Sequence, residues 1–209
     1  MSKVSEGDII IRPTFHHLNL KTLRLQEMID WYTTVVGMRV MFQFPGGAWL
    51  TNDAANHRLA LLTSPQMSED PDQLMHTGMH HCAFEYATID DLLNTYARLK
   101  AIGIEPHASL DHGITTSFYY VDPDGHSVEL QVDNFGSWQE SSEWIRTSPQ
   151  FAANPIGALI DPEQMLAAHK TGLSFSELHR RAYAGDFRPT APPDLRIPLG
   201  NPQNTTTKN

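Results

Sequence analysis

The order of apolar and polar residues follows a pattern that occurs twice along the chain. A short segment of alternating apolar and polar side chains, typical of a half-buried β-strand, leads into a segment with the period of an amphipathic helix. In each copy the helical segment runs to a glycine, Gly37 or Gly103, that could end it. Three further strand-like segments follow each helix. The pattern predicts two βαβββ modules in tandem, over about residues 13–65 and 77–133.

A pair of histidines marks the start of the first strand in both modules. His16 and His17 stand in TFHHLNL, and His80 and His81 stand in GMHHCAF. A tyrosine follows the second histidine by fifteen residues in each copy. Because several features recur in register, the sequence predicts a duplicated unit. The expected fold is therefore α+β, with two tandem modules forming a cleft of curved sheets.

The pattern changes after the second module. Asp161 followed by Pro162 predicts the start of a short helix, with the aspartate as its N-cap. We expect residues 1–133 to form one domain and residues 134–197 to form a C-terminal helical and irregular extension that packs on it. The polar end of the chain, residues 198–209, is predicted to be a disordered tail.

Composition excludes several classes of partner. The 209 residues are enough to bury a sizeable core. The formal net charge is −9 without any block of basic residues, which argues against nucleic acid or an anionic membrane as the main partner. No segment is long and apolar enough to act as a signal peptide or to span a bilayer. The single cysteine, Cys82, excludes an intramolecular disulfide, and we expect a cytoplasmic protein.

Strand alternation places three residues that can bind a metal on the faces turned away from the helices. In both first strands the apolar residues must face the helix, so His17 and His81 point to the other side. Glu129 lies on the corresponding face of the last strand. Two neutral imidazoles and one carboxylate are the ligands of mononuclear non-haem Fe(II) sites, which leave positions open for substrate and oxygen. The sequence therefore predicts a metal site formed by these three residues.

On these residues the chain resembles the vicinal oxygen chelate superfamily and, within it, the type I extradiol catechol dioxygenases. The sharpest motif is SFYYVDPDGHSVELQ, in which the ligand glutamate of the family follows the D-P-x-G turn and is here Glu129. The metal histidines of the family fall on His17 and His81. The resemblance implies Fe(II) as the cofactor, with Mn(II) able to share its ligands. It also implies that the substrates are a small aromatic diol and O₂, and that the product is a ring-opened hydroxy-oxo acid.

The resemblance also assigns roles to residues around the metal. It implies that His57 is an acid–base histidine beside bound oxygen and that Tyr119 hydrogen-bonds a substrate hydroxyl. It places His112 in a histidine–glycine pair near the pocket. Trp49 could stack on an aromatic ring, and Asn19 shares the strand face of the first metal histidine. Each of these residues also has a plainer interpretation, as a solvated or packing side chain.

One position separates the branches of this superfamily. The glyoxalase-like branches usually carry a fourth, carboxylate ligand in the last strand of the first module, where alignment of NHRLALL with GHSVELQ sets Ala60 opposite Glu129. Three protein ligands leave room for a bidentate diol plus dioxygen, which favours the dioxygenase branch. The alternatives are a metal-dependent isomerase, epimerase or lyase, a ligand-binding member without catalysis, and a decayed domain that only assembles with partners.

The remaining features have no assigned chemistry. A homo-oligomer is expected, because two modules alone leave sheet edges and apolar surface exposed. Arg146, in the extension, could reach a substrate carboxylate, although the sequence does not fix its direction. A solvated or structural position is expected for the other histidines considered, which are His107, His126, His169 and His179.

Overall fold

The computed structural model describes residues 11–197 and contains two mixed β-sheets, each with a helix of its own module packed against it. The elements of the first module are β1 (Leu18–Lys21), α1 (Leu25–Val35), β2 (Arg39–Phe44), β3 (Gly47–Thr51) and β4 (Leu59–Leu62). Their order in the sheet is β1-β4-β3-β2, with β1 parallel to β4 and the other pairs antiparallel. This is the predicted βαβββ arrangement.

The second module repeats the arrangement of the first. Its elements are β5 (His81–Tyr86), α2 (Ile89–Lys100), β6 (Ala108–Asp111), β7 (Thr115–Val121) and β8 (Ser127–Asp133). Here β5 is parallel to β8, and β7 pairs antiparallel with both β8 and β6. The α+β fold with two tandem modules, predicted from periodicity, is confirmed.

The chain beyond β8 adds helices and one more strand. Its elements are α3 (Trp138–Thr147), α4 (Pro149–Ala153), β9 (Ala158–Leu159), α5 (Pro162–Lys170) and α6 (Phe175–Tyr183). The short strand β9 pairs with β6, so the second sheet has the order β5-β8-β7-β6-β9. Asp161 caps α5 as predicted, because its side chain accepts hydrogen bonds from two backbone N–H groups of the first turn. No helix within residues 11–197 is long and apolar enough to cross a membrane. The predicted tail, residues 198–209, lies outside the described residues.

Strand register makes the two modules directly comparable. In the first sheet Asn19 pairs with Ala60, and in the second sheet Ala83 pairs with Glu129. Asn19 and Ala83 each stand two residues after the second histidine of a pair. Ala60 therefore occupies the position in the first module that Glu129 occupies in the second, as the sequence alignment predicted.

Each helix covers one face of its sheet with apolar side chains. Tyr32 and Tyr96, the tyrosines that recur in the sequence, lie at equivalent places in α1 and α2 and are almost fully buried. Other fully buried residues of these helices are Met28, Val35, Leu92, Leu93 and Leu99. Burying an apolar side chain of this size contributes about 1.5–3 kcal/mol. The helices thereby fix which face of each sheet is covered, and polar site residues lie on the other face.

A buried hydrogen bond joins the two modules. The hydroxyl group of Tyr32 in α1 donates to Oδ2 of Asp122, which follows β7, at 3.1 Å. The same carboxylate accepts hydrogen bonds from the backbone N–H groups of Asp124 and His126, at 3.0 and 2.8 Å, and so shapes the D-P-D-G turn. Burial and the charge of Asp122 raise the pKa of Tyr32, so its hydroxyl keeps its hydrogen. The turn that precedes β8 is therefore held by the helix of the other module.

Replacing Tyr32 by phenylalanine is expected to lower the free energy of unfolding by about 1–3 kcal/mol, because a buried carboxylate loses one of its donors. Denaturant unfolding followed by circular dichroism measures the loss. Tyr120→Phe is the matched control, since this buried hydroxyl has no hydrogen-bond partner among residues 11–197. The control should cost clearly less, and equal losses in the two variants would contradict the role given to the Tyr32 bond.

Candidate metal and substrate site

Strands β5, β7 and β8 and the residue that follows β6 bring four polar side chains together in the second module. Nε2 of His81 lies 3.2 Å from Oε2 of Glu129. Tyr119, which pairs with Glu129 across the sheet, donates its hydroxyl hydrogen to Oε1 at 2.9 Å. Nε2 of His112 lies 2.8 Å from the hydroxyl oxygen of Tyr119. Four of the residues proposed from the sequence therefore form one connected cluster.

The carboxylate of Glu129 is the centre of this cluster. The residue is only 5% exposed. Burial alone raises the pKa of Glu129, but hydrogen bonds from His81, Ser117 and Tyr119 lower it, and the net pKa lies below its ordinary value. Burial and the charge of Glu129 raise the pKa of Tyr119. The cluster thus combines an ionised carboxylate, which is the form that binds a metal, with a neutral hydroxyl that can donate.

A second group of histidines lies in the first module. His17 stands just before β1 and His57 just before β4, and their ring centroids are 4.3 Å apart. Together with His16 they form a group whose ligand atoms all lie within 4.8 Å of one another. Burial, followed by the charges of His17 and His16, lowers the pKa of His57. His57 is therefore neutral at pH 7 and can accept a proton.

The two groups are not joined into the predicted triad. Among residues 11–197, the ligand atoms of His17, His81 and Glu129 do not all lie within 4.8 Å of one another. His81 lies within β5, where it pairs with Ser127 of β8. His17 precedes Leu18, the first paired residue of β1, so strand pairing does not fix the direction of its side chain. The assignment of His17 as the third ligand stays a prediction.

The first sheet presents an aromatic surface at the place where the second sheet presents its carboxylate. Trp49 pairs with Ala60 from one side and Asn19 pairs with it from the other. The indole ring of Trp49 is exposed and stacks on Phe42, with centroids 5.2 Å apart and planes inclined by 28°. Its distance to the ring of His57 is 6.1 Å. Both proposed substrate-binding residues thus flank the small side chain of Ala60.

His107 is a neighbour of the site that sequence reasoning did not include. Its Nε2 lies 2.8 Å from Oγ of Ser127, its Nδ1 lies 2.6 Å from the carbonyl oxygen of Asp194, and its ring lies 6.1 Å from that of Tyr119. Burial lowers the pKa of His107. The sequence signal was weak because one partner stands far along the chain. Arg146 is exposed and pairs with Glu143 of its own helix.

A family model identifies the class of protein that this fold and site define. The model described as the Glyoxalase/Bleomycin resistance protein/Dioxygenase superfamily matches residues 14–130, a range that includes both modules almost completely. The chain belongs to this superfamily.

Curated relatives narrow the comparison further. Biphenyl-2,3-diol 1,2-dioxygenase 2 of Rhodococcus globerulus is 39% identical over 180 residues, which cover 86% of this chain and 94% of the relative. Biphenyl-2,3-diol 1,2-dioxygenase 3 of the same organism is 37% identical over 174 residues, covering 83% and 91%. Catechol-2,3-dioxygenase of Bacillus subtilis is 30% identical over 120 residues, covering 57% and 41%. The first two alignments are too long to fit within residues 1–133, so the similarity includes part of the extension.

If Glu129 is a ligand, as the sequence predicts, replacing it by glutamine is expected to weaken Fe(II) binding by at least about 10-fold, because a neutral amide of similar size replaces the charged carboxylate. Anaerobic titration calorimetry with Fe(II), together with metal analysis of the purified variant, measures the effect. Glu85→Gln is the control, since Glu85 lies in the same sheet but contacts Trp138. Unchanged affinity in the Glu129 variant would remove this residue from the metal site.

Proposed function

We propose that this protein is an extradiol dioxygenase. It opens the ring of a catechol-type aromatic diol with insertion of both atoms of O₂, and the product is a hydroxy-oxo acid. The observation that carries the proposal is the one-sided site, in which His81 and Glu129 are available as ligands while the equivalent first-module position is Ala60. A fourth carboxylate ligand is thus missing where glyoxalase-like enzymes have one, so an exchangeable face is left for the diol and O₂. The activities named for the relatives belong to the same reaction class and support the proposal.

Enzymes of this class are metal-dependent, and we assign Fe(II) to this chain, with Mn(II) able to use the same ligands. His81 and Glu129 would hold the metal, with His17 as the proposed third ligand. The donors fit, because the buried Glu129 carboxylate has a lowered pKa and an imidazole nitrogen lies 3.2 Å from it. When bound, the metal supplies the exchangeable positions and the electronic coupling that let a diol react with triplet O₂.

The side chains around the metal ligands orient the diol and handle its protons. Tyr119 keeps its hydrogen and can donate to a substrate oxygen, and His112 contacts the same hydroxyl. His57, neutral at pH 7, can take up a proton from the diol and return one during ring opening. Trp49 and Asn19 are proposed to contact the ring. Because Trp49 forms a stacked aromatic surface with Phe42, we favour a diol that carries a second ring or another apolar substituent.

The test is oxygen uptake by anaerobically purified, Fe(II)-loaded protein with catechol, 3-methylcatechol and 2,3-dihydroxybiphenyl. We expect one O₂ consumed per molecule of yellow ring-opened product, with the bicyclic diol used most efficiently. Uptake is followed with an oxygen electrode and the product by absorbance. No uptake with any diol by protein that holds one metal per chain would contradict the proposal.

The variant His57→Phe distinguishes an effect on turnover from an effect on metal content within the same experiment. It should retain the metal and lose at least about 10-fold in turnover, because general acid–base groups contribute about 10²–10⁴-fold. A variant with full activity would refute the acid–base role of His57 and leave the reaction class standing.

We also propose that the protein forms a homo-oligomer through the edge of the first sheet. Strand β2 is this edge, and Val40, Met41 and Phe42 are 41%, 48% and 52% exposed. The equivalent edge of the second sheet, β6, is covered by β9. An uncovered apolar edge strand is a template for pairing with another chain, and a second copy carries the same edge.

Light scattering at micromolar concentration is expected to give a mass of at least two chains. Met41→Lys should shift the distribution toward monomer, because a charged side chain on an edge strand opposes pairing. Gln43→Lys should shift it less, because this position of the same strand is already polar and no apolar side chain is lost there. A monomeric wild-type protein would contradict the proposal.

A further inference from the structure

We propose that the C-terminal extension positions His112, through the backbone carbonyl of Ile156 and through His179, and thereby fixes which ring nitrogen of His112 faces Tyr119. The inference rests on the proposed function, in which Tyr119 and His112 contact the diol. Residues of the extension, which lie outside the two modules, are then positioning residues for the site.

The polarity of the hydrogen bonds defines the state of the His112 ring. Nδ1 lies 2.6 Å from the carbonyl oxygen of Ile156, and because a carbonyl only accepts, Nδ1 carries a hydrogen. In the neutral ring Nε2 is then an acceptor, 2.8 Å from the hydroxyl oxygen of Tyr119. That hydroxyl has one hydrogen and two acceptors in reach, His112 Nε2 and Glu129 Oε1 at 2.9 Å. Because the Ile156 carbonyl keeps the hydrogen of His112 on Nδ1, Nε2 remains an acceptor. The Tyr119 hydroxyl hydrogen can then point either to Oε1 of Glu129 or to Nε2 of His112.

The backbone of the extension reaches His112 because residue 157 is a glycine. Gly157 has φ +89, and an added Cβ would lie 2.0 Å from the carbonyl oxygen of Asp111 and 2.6 Å from Cα of His112. The next residue, Ala158, pairs with Asp111 in the sheet. Any side chain at position 157 would force the extension away from the Asp111–His112 peptide, and the Ile156 carbonyl would move with it.

His179, in α6, contacts the side chain of Asp111, the residue before His112. The side chain of Asp111 is fully buried, and its Oδ2 lies 2.8 Å from Nδ1 of His179. Its Oδ1 accepts from the backbone N–H of Gly113 at 2.8 Å and from the side-chain amide of Asn134 at 3.1 Å. A buried carboxylate needs such donors. The Asp111 carboxylate therefore links the residue before His112 to Gly113, the residue after it. His179 of the extension holds this carboxylate in place.

The test compares two glycine variants. Gly157→Ala should displace the carbonyl, whereas Gly172→Ala introduces a side chain at a similar backbone angle, φ +91, with nothing within 4 Å of the new Cβ. Imidazole ¹⁵N chemical shifts of metal-free protein report which nitrogen of His112 carries the hydrogen. We expect the Nδ1–H form in the wild type and in Gly172→Ala, and a mixture of both forms in Gly157→Ala. An Nε2–H ring in the wild type, or an unchanged ring in Gly157→Ala, would overturn the inference, whether or not the protein oxidises diols.

A second pair of variants tests His179 without altering the backbone. His179→Phe removes the partner of Asp111, and His179→Asn keeps a donor near the place of Nδ1. The control is His169→Phe, because the side chain of His169 is 24% exposed, compared with 22% for His179, and its Nε2 lies 2.6 Å from Oδ1 of Asp90 in α2, which is not a residue of the proposed site. With the metal content unchanged, His179→Phe should lower kcat at least about 10-fold, His179→Asn should restore most of it, and His169→Phe should stay within about 2-fold. A drop in His169→Phe equal to that in His179→Phe, or no rescue by asparagine, would show a merely structural effect and overturn the role of His179.

Discussion

The ionised carboxylate of Glu129, buried in the middle of a sheet, is the constraint on which the rest of the site depends. Moving a charge out of water is costly unless hydrogen-bond donors replace the water. His81 on one neighbouring strand and Tyr119 on the other supply these donors, so the register of three strands is tied to one side chain. A slip of one residue would turn the carboxylate into the face that α2 covers. Stability of the sheet and readiness to bind a metal therefore have the same origin.

Duplication explains the scaffold, and the differences between the copies explain the chemistry. The same register places Ala60 where the second module has Glu129, and Trp49 where it has Tyr119. The second sheet thus presents the candidate ligands His81 and Glu129 with the donor Tyr119, while the first presents an aromatic surface beside the small side chain of Ala60. A reaction between a planar diol and a small gas molecule needs both kinds of surface, and two identical modules would provide only one of them.

Local patterns in the sequence were sufficient to predict the modules, because strand alternation and helix capping depend on residues a few positions apart. The same alternation placed His81 and Glu129 on one face, and the structure brings them within 3.2 Å. It could not place His17, which lies just outside the pairing of its strand. Strand β9 was not predicted, since two residues carry no periodicity. The contacts of His112 with Ile156 and of Asp111 with His179 join residues 44 and 68 positions apart. Local sequence patterns cannot predict contacts over such separations.

The covered edge and the cluster of His81, Glu129, Tyr119 and His112 belong to the same module, and there is a physical reason for this. Asp111 lies on β6, which β9 covers, His112 lies just after β6 and Tyr119 lies on the neighbouring strand β7. The first module, in contrast, has an uncovered edge and a more exposed surface. Hydrogen bonds that hold a ring in one orientation are strongest where water cannot compete for the same donors and acceptors. The extension removes that competition along β6 and adds a carbonyl at the right place. A cluster of candidate metal ligands and an aromatic surface can arise when duplicated modules diverge, but the proposed orientation of His112 depends on the chain that follows them.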